Sequence, residues 1–350
     1  MKIAVIGLGI AGLSIATRLA QAGHDVDGYE QFDLMHAHGS SHGDTRIIRF
    51  TPGEGDAYVD LAARAAPLWN AWSAASSAAL INWTGGLMAG PPGSAFVASC
   101  AALSARYGHP FQAMSPAAVA AETAGGLHFA EDWEIVRQSD CGVVYADRVR
   151  AFLIPHAQAA GARLHAHTAM TPAKALATHD RVILAQGAWN APLMPNSLRA
   201  ERRVLAWFEA GRDLPVICVD DEAGVYGMPT PDGLYKIGLH AVGELVDPMQ
   251  VRDPDDADAA LLSAYAARYL RLEAARPVQM ARCLYTLTPD SNFLITPAPF
   301  DARALVFSAC SGHGFKFAPA FGELALDWIE GRALAAAFAG AGAAFTPLGG

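Results

Sequence analysis

The sequence has little positive charge and few cysteines, and each deficit excludes a class of function. Lysine and arginine number 25 against 34 acidic residues, so the formal net charge is −9 over 350 residues. Because an acidic average surface repels phosphate backbones and anionic bilayers, we expect neither nucleic acid nor membrane as a partner. The five cysteines are widely spaced, with no C-x-x-C pair and no histidine at zinc spacing. This pattern predicts no metal site and no disulfide framework, and it is typical of a reducing cytoplasm.

Long apolar runs and low-complexity composition are also missing. No segment reaches the roughly 18 uncharged apolar residues that a membrane-spanning helix needs. Glycine (33 residues) and proline (21 residues) together stay below the ~25–30% typical of disordered chains, whereas hydrophobic residues make up 52%. We therefore expect a soluble folded protein, and the length predicts one to three domains, with two the natural number.

The first thirty residues follow a strand, turn, helix, strand pattern. An apolar strand over residues 3–6 leads into a glycine turn, and a helix is predicted from about residue 10 to residue 22. Gly7, Gly9 and Gly12 form G-x-G-x-x-G at this turn, where the three glycines allow a tight turn, close approach of a pyrophosphate and helix–sheet packing. The pattern predicts a dinucleotide-binding βαβ unit.

An acidic residue at the end of the second strand narrows the choice of dinucleotide. Glu30 follows Gly12 at the spacing where a carboxylate accepts hydrogen bonds from ribose hydroxyls, and it disfavours a 2′-phosphate. FAD or NAD is therefore expected rather than NADP. Lys2, the apolar run after it and Ala20-Gln21-Ala22 also resemble a secretory signal. Cleavage there would destroy the βαβ unit, so we favour the nucleotide-binding interpretation.

Further motifs follow along the chain in a fixed order. They are GSSHGDTRIIR (39–49), QGAWN (186–190), YKIGLH (235–240), CLYTLTPD (283–290) and SGHGFKF (311–317). Together with GLGIAG and Glu30, this set resembles the monomeric sarcosine oxidase and N-methyltryptophan oxidase group of FAD-dependent amine oxidases, within the D-amino acid oxidase-like superfamily. Pipecolate and fructosyl amino acid oxidases belong to the same group.

The resemblance implies an α/β protein with two discontinuous domains. A doubly wound, Rossmann-like FAD domain is expected from residues 1–70, 140–200 and 300–340. A substrate domain of α+β type, built on a mixed β-sheet, is expected from residues 71–139 and 201–299. The protein is expected to be a monomer, with a small homo-oligomer as the alternative.

By resemblance, Cys283 is the residue whose sulfur is bonded covalently to the flavin at its 8-methyl carbon. The neighbouring Arg282 could favour the thiolate, although adjacent side chains in a strand point to opposite faces. An isolated cysteine of this kind would instead be interpreted as a small buried hydrophobe. Cys310, directly before SGHGFKF, is a rival for the attachment and is interpreted as a packing residue.

The resemblance also assigns the other site residues. Arg49 and Lys316 are expected to bind the substrate carboxylate, since arginine offers a planar fork and lysine a point charge; either residue alone would be interpreted as an ordinary salt-bridge partner. Lys236 is expected over the flavin where O2 is reduced, against the alternative of a surface lysine on a strand. The expected catalytic residues are Lys236, His240, Arg46, His42 and Tyr226, of which Tyr226 also contacts substrate. The expected FAD-binding residues are Gly7, Gly9, Gly12, Glu30, His42, Thr45, Arg46, Cys283, Gly312, Gly314 and Lys316.

The implied activity is oxidation of a secondary amine bearing a carboxylate, with O2 as acceptor and H2O2 as product. Two departures leave the substrate open: FTP at residues 50–52 replaces a common His-Ala-Tyr stretch, and Ser291 and Asn292 replace another common pair. Sarcosine, a bulkier N-methyl amino acid, a cyclic imino acid and a specialised biosynthetic amine all remain candidates. A dehydrogenase with a protein electron acceptor and a non-catalytic flavin-binding subunit are the alternative functions.

Overall fold

The chain forms two large β-sheets and one small sheet, which a computed structural model describes over residues 1–211, 213–272 and 275–339. Residue 340, the last of the predicted FAD-domain ranges, and residues 212, 273 and 274 lie outside this description. The helices in chain order are α1 (Ile10–Gln21), α2 (Asp56–Ala75), α3 (Ala95–Tyr107), α4 (Pro116–Glu122), α5 (Ala146–Ala159), α6 (Pro172–Leu176), α7 (Asp256–Leu270) and α8 (Ala318–Ile329).

The strands in chain order are β1 (Lys2–Ile6), β2 (Asp25–Tyr29), β3 (Thr45–Arg49), β4 (Ile81–Asn82), β5 (Gly86–Gly90), β6 (Phe111–Met114), β7 (Glu134–Gln138), β8 (Cys141–Tyr145), β9 (Arg163–His165), β10 (Arg181–Leu184), β11 (Arg199–Phe208), β12 (Val216–Val219), β13 (Val225–Pro229), β14 (Tyr235–Leu239), β15 (Glu244–Leu245), β16 (Gln279–Leu287), β17 (Leu294–Ala298) and β18 (Asp301–Ser308). Short 3₁₀ helices occupy Gly187–Leu193, Phe315–Phe317 and Ala336–Phe338.

A six-stranded sheet contains the predicted βαβ unit. Its order is β17-β18-β10-β1-β2-β9, and all neighbours are parallel except the antiparallel pair β17 and β18. The interior of β1 is buried on both faces: Ile3 and Val5 pack under α1 and α8, while Ala4 and Ile6 pack on the opposite side of the sheet. This double burial explains the continuous apolar run, which is typical of parallel strands covered by helices.

The second large sheet is mixed, as predicted. It follows the order β15-β11-β14-β13-β12-β5-β7-β6, with β16 also paired to β11, and β12 with β5 is a parallel pair among antiparallel ones. The third sheet is β3-β8-β4. A doubly wound α/β unit beside a mixed sheet confirms the predicted fold class. The domain boundaries stay a prediction; β17 joins the six-stranded sheet although its residues fall within the predicted substrate range.

One face of the mixed sheet collects several predicted site residues. Lys236 and His240 are four positions apart along β14 and its exit, so their side chains point to the same face. Tyr226 pairs with Gly238 across β13 and β14, and its phenol lies so close that a Cβ at Gly238 would overlap it. None of the helices within the described ranges combines the length and hydrophobicity needed to cross a bilayer.

Candidate active site

A cavity of about 490 Å³ connects the glycine turn after β1 with the mixed sheet. Its wall includes Gly7, Gly9 and Glu30 from the six-stranded sheet and Tyr226 and His240 from the mixed sheet. Of the other predicted site residues, Arg46, Arg49, Cys283, Gly312, Gly314 and Lys316 also line it. The fold therefore brings most of the predicted residues to one place, although they are spread over the whole chain.

The glycine turn is tight enough to exclude side chains. Gly7 has φ of +90°, which L residues rarely adopt, and a Cβ at Gly12 would overlap the carbonyl oxygen of Gly7. Ser41 accepts a hydrogen bond from the N–H of Ile10 at 3.0 Å, at the start of α1. The remaining N–H groups of the first turn have no intrahelical acceptor, so this end of α1 is suited to phosphate oxygens.

Glu30 is held as a buried carboxylate beside the turn. Its Oε2 accepts the N–H of Leu8 at 2.9 Å, its Oε1 accepts the N–H of Phe32 at 3.1 Å, and the His36 ring lies 3.6 Å from Oε2. Burial by itself would raise the pKa of Glu30, but His36 and these two N–H groups bring it below the ordinary value. The ionised group keeps lone pairs that can accept further hydrogen bonds, and its role as a ribose ligand stays a prediction.

The sulfur of Cys283 lies beside the guanidinium of Arg46. The Nη2 atom of Arg46 is 3.9 Å from Sγ, and the same guanidinium donates to the carbonyl of Ser40 at 2.8 Å. Burial raises the pKa of the Cys283 thiol, and Arg46 opposes that rise. Arg282, which could have favoured the thiolate, points away as strand alternation predicts and pairs with Asp253 at 3.2 Å. The positive charge beside the sulfur therefore comes from a distant part of the chain.

Cys310 lies on the wall of the same cavity. Its Sγ accepts a hydrogen bond from the backbone N–H of Thr286 at 3.4 Å. This contact holds the sulfur against the strand that carries Cys283. Cys310 therefore remains the natural control for any assignment of a reactive thiol.

The two predicted carboxylate-binding residues converge on one carboxylate of the protein itself. Glu54 lies 3.3 Å from Nη2 of Arg49 and 3.1 Å from Nζ of Lys316, and both cations are buried. Burial would raise the pKa of Glu54, but Lys316 and Arg49 lower it far below its ordinary value. Arg49 and Lys316 can therefore pair with a carboxylate together, although the one they contact belongs to the protein itself.

Sequence reasoning missed Glu54. The available signal was its position in FTPGEG shortly after Arg49, but nothing in the sequence pairs it with Lys316. Only the packing of the loop after β3 against the 3₁₀ helix Phe315–Phe317 makes this contact.

The loop around Gly312 packs closely against the mixed sheet because Gly312 has no side chain. Gly312 has φ of +78°, and an added Cβ would approach the rings of Tyr285 and His240. The His240 and Tyr285 ring centroids are 5.7 Å apart. Burial lowers the pKa of His240, and the nearby Arg203 lowers it further, so the imidazole is held neutral.

Four predicted site residues do not line the cavity: Gly12, His42, Thr45 and Lys236. The ammonium of Lys236 donates to the carbonyls of Gly43 and Thr45, and burial lowers its pKa well below the ordinary value. Lys236 thus lies behind the segment of residues 42–46, which carries His42 in the loop after β2 and Arg46 in β3. Within the described residues, the buried Nε2 of His42 and Oγ1 of Thr45 have no hydrogen-bond partner.

Comparison with known proteins agrees with this geometry. The family described as FAD dependent oxidoreductase matches the chain over residues 2–328. The chain belongs to the FAD dependent oxidoreductase family. Monomeric sarcosine oxidase of Bacillus sp. (strain B-0618) is 29% identical, over 91% of this chain and 90% of that protein. N-methyl-L-tryptophan oxidase of Salmonella dublin is 29% identical, over 94% of each chain. The resemblance inferred from the motifs is thereby confirmed.

Solved structures share the fold of this family member. NikD, an amino acid oxidase of nikkomycin biosynthesis, superposes with a TM-score of 0.79 at 21% identity, over 95% of each chain. Glycine oxidase from Geobacillus kaustophilus superposes with a TM-score of 0.78 at 19% identity, again over 95% of each chain. At these identities the likeness concerns the fold.

The residues around the cavity fit the FAD that the family implies. Gly9 leaves room beside Ser41, where a Cβ would lie 3.0 Å from Oγ, and the Glu30 carboxylate on the same wall is an acceptor suited to hydroxyl groups. The buried Oε1 of Gln186 faces this cavity and has no partner among the described residues, so it is free to accept a hydrogen bond from a bound group.

Proposed function

We propose that this family member is an FAD-dependent oxidase of a secondary amine that bears a carboxylate, such as sarcosine or another N-methyl amino acid. The observation that carries the proposal is the convergence of Arg49 and Lys316 on one carboxylate, in the same cavity as the dinucleotide turn. The names of the relatives, sarcosine oxidase and N-methyltryptophan oxidase, support the same class of substrate.

Arg49 and Lys316, together called the clamp, have the charge needed to bind one substrate carboxylate. Arg49 and Lys316 contribute two positive charges, and Glu54 neutralises one of them. One positive charge remains, and the carboxylate of a bound substrate neutralises it. This matters because an unpaired charge in a buried site is costly. A planar guanidinium also orients the carboxylate, which fixes the direction in which the rest of the substrate extends.

The neighbouring residues complete the reaction site. His240 is neutral, so its ring can accept a hydrogen bond from the substrate amine without repelling a cation. Tyr226 lies on the same cavity wall, and its phenol stays protonated because burial raises its pKa. FAD, when bound, supplies the acceptor for the hydride equivalent from the carbon next to nitrogen. The imine product hydrolyses, and O2 is reduced to H2O2.

We further propose that Cys283 holds FAD covalently and that Lys236 promotes the reaction with O2. Cys283 lines the cavity with Arg46 beside its sulfur, and this contact supports the attachment. Lys236 holds the loop of Gly43 and Thr45, so its effect on O2 would act through the position of that loop as well as through charge.

A panel of N-methyl and cyclic amino acids, assayed for H2O2 with the purified holoenzyme, tests the activity. We expect one H2O2 for each amine oxidised. Arg49→Ala should weaken binding of a competitive carboxylate such as methylthioacetate about tenfold or more, because charge-assisted hydrogen bonds are lost. Arg106→Ala, which removes an exposed arginine paired with Asp56, is the matched control. Amine oxidation without H2O2, or unchanged carboxylate affinity in Arg49→Ala, would refute the proposal.

A further inference from the structure

A second acidic residue, Asp220, lies on the wall of the same cavity. It follows β12 directly, and its backbone N–H donates to the carbonyl of Ala89 in β5 at 2.8 Å. Because side chains alternate along a strand, Asp220 points to the same face as Cys218, which pairs with Tyr226 in β13. The sheet that presents Tyr226 to the cavity therefore also presents a carboxylate.

The carboxylate of Asp220 is oriented by a neutral partner. Its Oδ2 accepts a hydrogen bond from the hydroxyl of Ser94 at 2.6 Å, and Ser94 in turn accepts the N–H of Val97 as the cap of α3. Neither bond neutralises the negative charge. The other two acids of the cavity differ in this respect, since Glu54 lies between two cations and Glu30 lies beside a histidine.

The first turn of α3 contacts both the Asp220 carboxylate and Arg49, one of the two cations of the clamp. Phe96, two residues after Ser94, lies under the guanidinium of Arg49, 5.4 Å from ring centroid to Cζ, and it lines the cavity. Cys218, on the same face of β12 as Asp220, adds further apolar surface to this wall. A ligand anchored at Arg49 can thus follow an apolar wall to the Asp220 carboxylate, which forms no ion pair with any described residue.

We infer that the substrate carries a cationic group, an ammonium or a guanidinium, at the far end of its side chain, and that Asp220 binds this group. The inference rests on the proposed function and narrows its substrate to N-substituted basic amino acids. An aliphatic stem suits the wall of Phe96 and Cys218, and the cation matches Asp220. Selectivity arises because a neutral side chain leaves the Asp220 carboxylate without a charged partner.

Binding of two isosteric ligands to the purified holoenzyme tests the inference without turnover. The ligands are 6-aminohexanoate, which carries a carboxylate and an ammonium, and heptanoate, in which a methyl group replaces the ammonium. By titration calorimetry we expect the aminated ligand to bind about tenfold more tightly, from one charge-assisted hydrogen bond. Asp220→Asn keeps an acceptor for Ser94 but removes the charge, so the ratio should fall to about one. Glu222→Gln, an exposed acid paired with Arg268, should keep the wild-type ratio.

A ratio near one in the wild type, or a ratio that Asp220→Asn does not change, would overturn the inference. Oxidation is measured separately with an isosteric pair of substrates, Nα-methyl-lysine and N-methyl-2-aminoheptanoate. H2O2 from the neutral substrate only would support the oxidase and reject the role of Asp220. Selective binding of 6-aminohexanoate without oxidation of any amine would uphold Asp220 and reject the oxidase.

Discussion

Replacement of Glu54 by glutamine is the sharpest test of the clamp. In the wild type the Glu54 carboxylate contacts Arg49 at 3.3 Å and Lys316 at 3.1 Å. Glutamine preserves the shape and one oxygen acceptor but removes the negative charge. Two buried cations are then left without a counter-ion, and such a loss costs about 3–5 kcal/mol when the pair is fully buried. Because the Glu54 side chain is 23% exposed, we expect the lower end, about 3 kcal/mol of unfolding free energy.

A carboxylate ligand should restore much of that loss. In Glu54→Gln the ligand meets two uncompensated cations rather than one, so it should bind more tightly than in the wild type. Thermal unfolding of the holoenzyme, with and without methylthioacetate, measures both effects. We expect a lower Tm for the variant without ligand and a larger rise in Tm on ligand addition.

The matched control is Glu222→Gln, which breaks an exposed pair with Arg268 and should cost less than about 1 kcal/mol. Equal stability of Glu54→Gln and wild type would show that Glu54 does not compensate the clamp. A smaller rise in Tm with methylthioacetate than in the wild type would show that the ligand carboxylate binds elsewhere. Either result would refute the reasoning from charge balance.

Four further variants test the cofactor site. Cys283→Ala should release the yellow colour on acid precipitation, whereas Cys310→Ala should retain it in the protein; the opposite pattern would reassign the thiol. Lys236→Met removes a buried ammonium that donates to two loop carbonyls, and it should slow flavin reoxidation by O2 more than reduction by amine. Stopped-flow absorbance measures both steps, and an unaltered oxygen rate would remove Lys236 from this role. Gly12→Ala forces a Cβ into the turn and should abolish FAD retention, read as flavin absorbance per protein; full retention would contradict the tight turn.

The nucleotide-binding end of the site could be predicted from the sequence alone. Gly7, Gly9 and Gly12 are neighbours in the chain, and their spacing reports directly on the turn between β1 and α1. Glu30 was predictable for the same reason, since the length of α1 and β2 sets its place at the end of the strand. Local geometry over thirty residues is enough for such an inference, because few alternative folds fit the pattern.

The substrate end of the site depended on the tertiary structure. Strand alternation already argued against Arg282 as the charge beside Cys283, but only the tertiary structure shows that Arg46 of β3 lies beside the sulfur. The partnership of Glu54 with Lys316 likewise depends on the contact of two loops far apart in the chain.

For Asp220, too, the sequence shows one part of its role and the tertiary structure the other. Its residue type and strand position are visible in the sequence, but its exposure to the cavity depends on the pairing of β12 with β5 and β13. Spacing along a chain determines which side chains share a turn, a helix face or a strand face. The pairing register and the paths of loops determine which faces meet, and those follow from packing across the whole molecule.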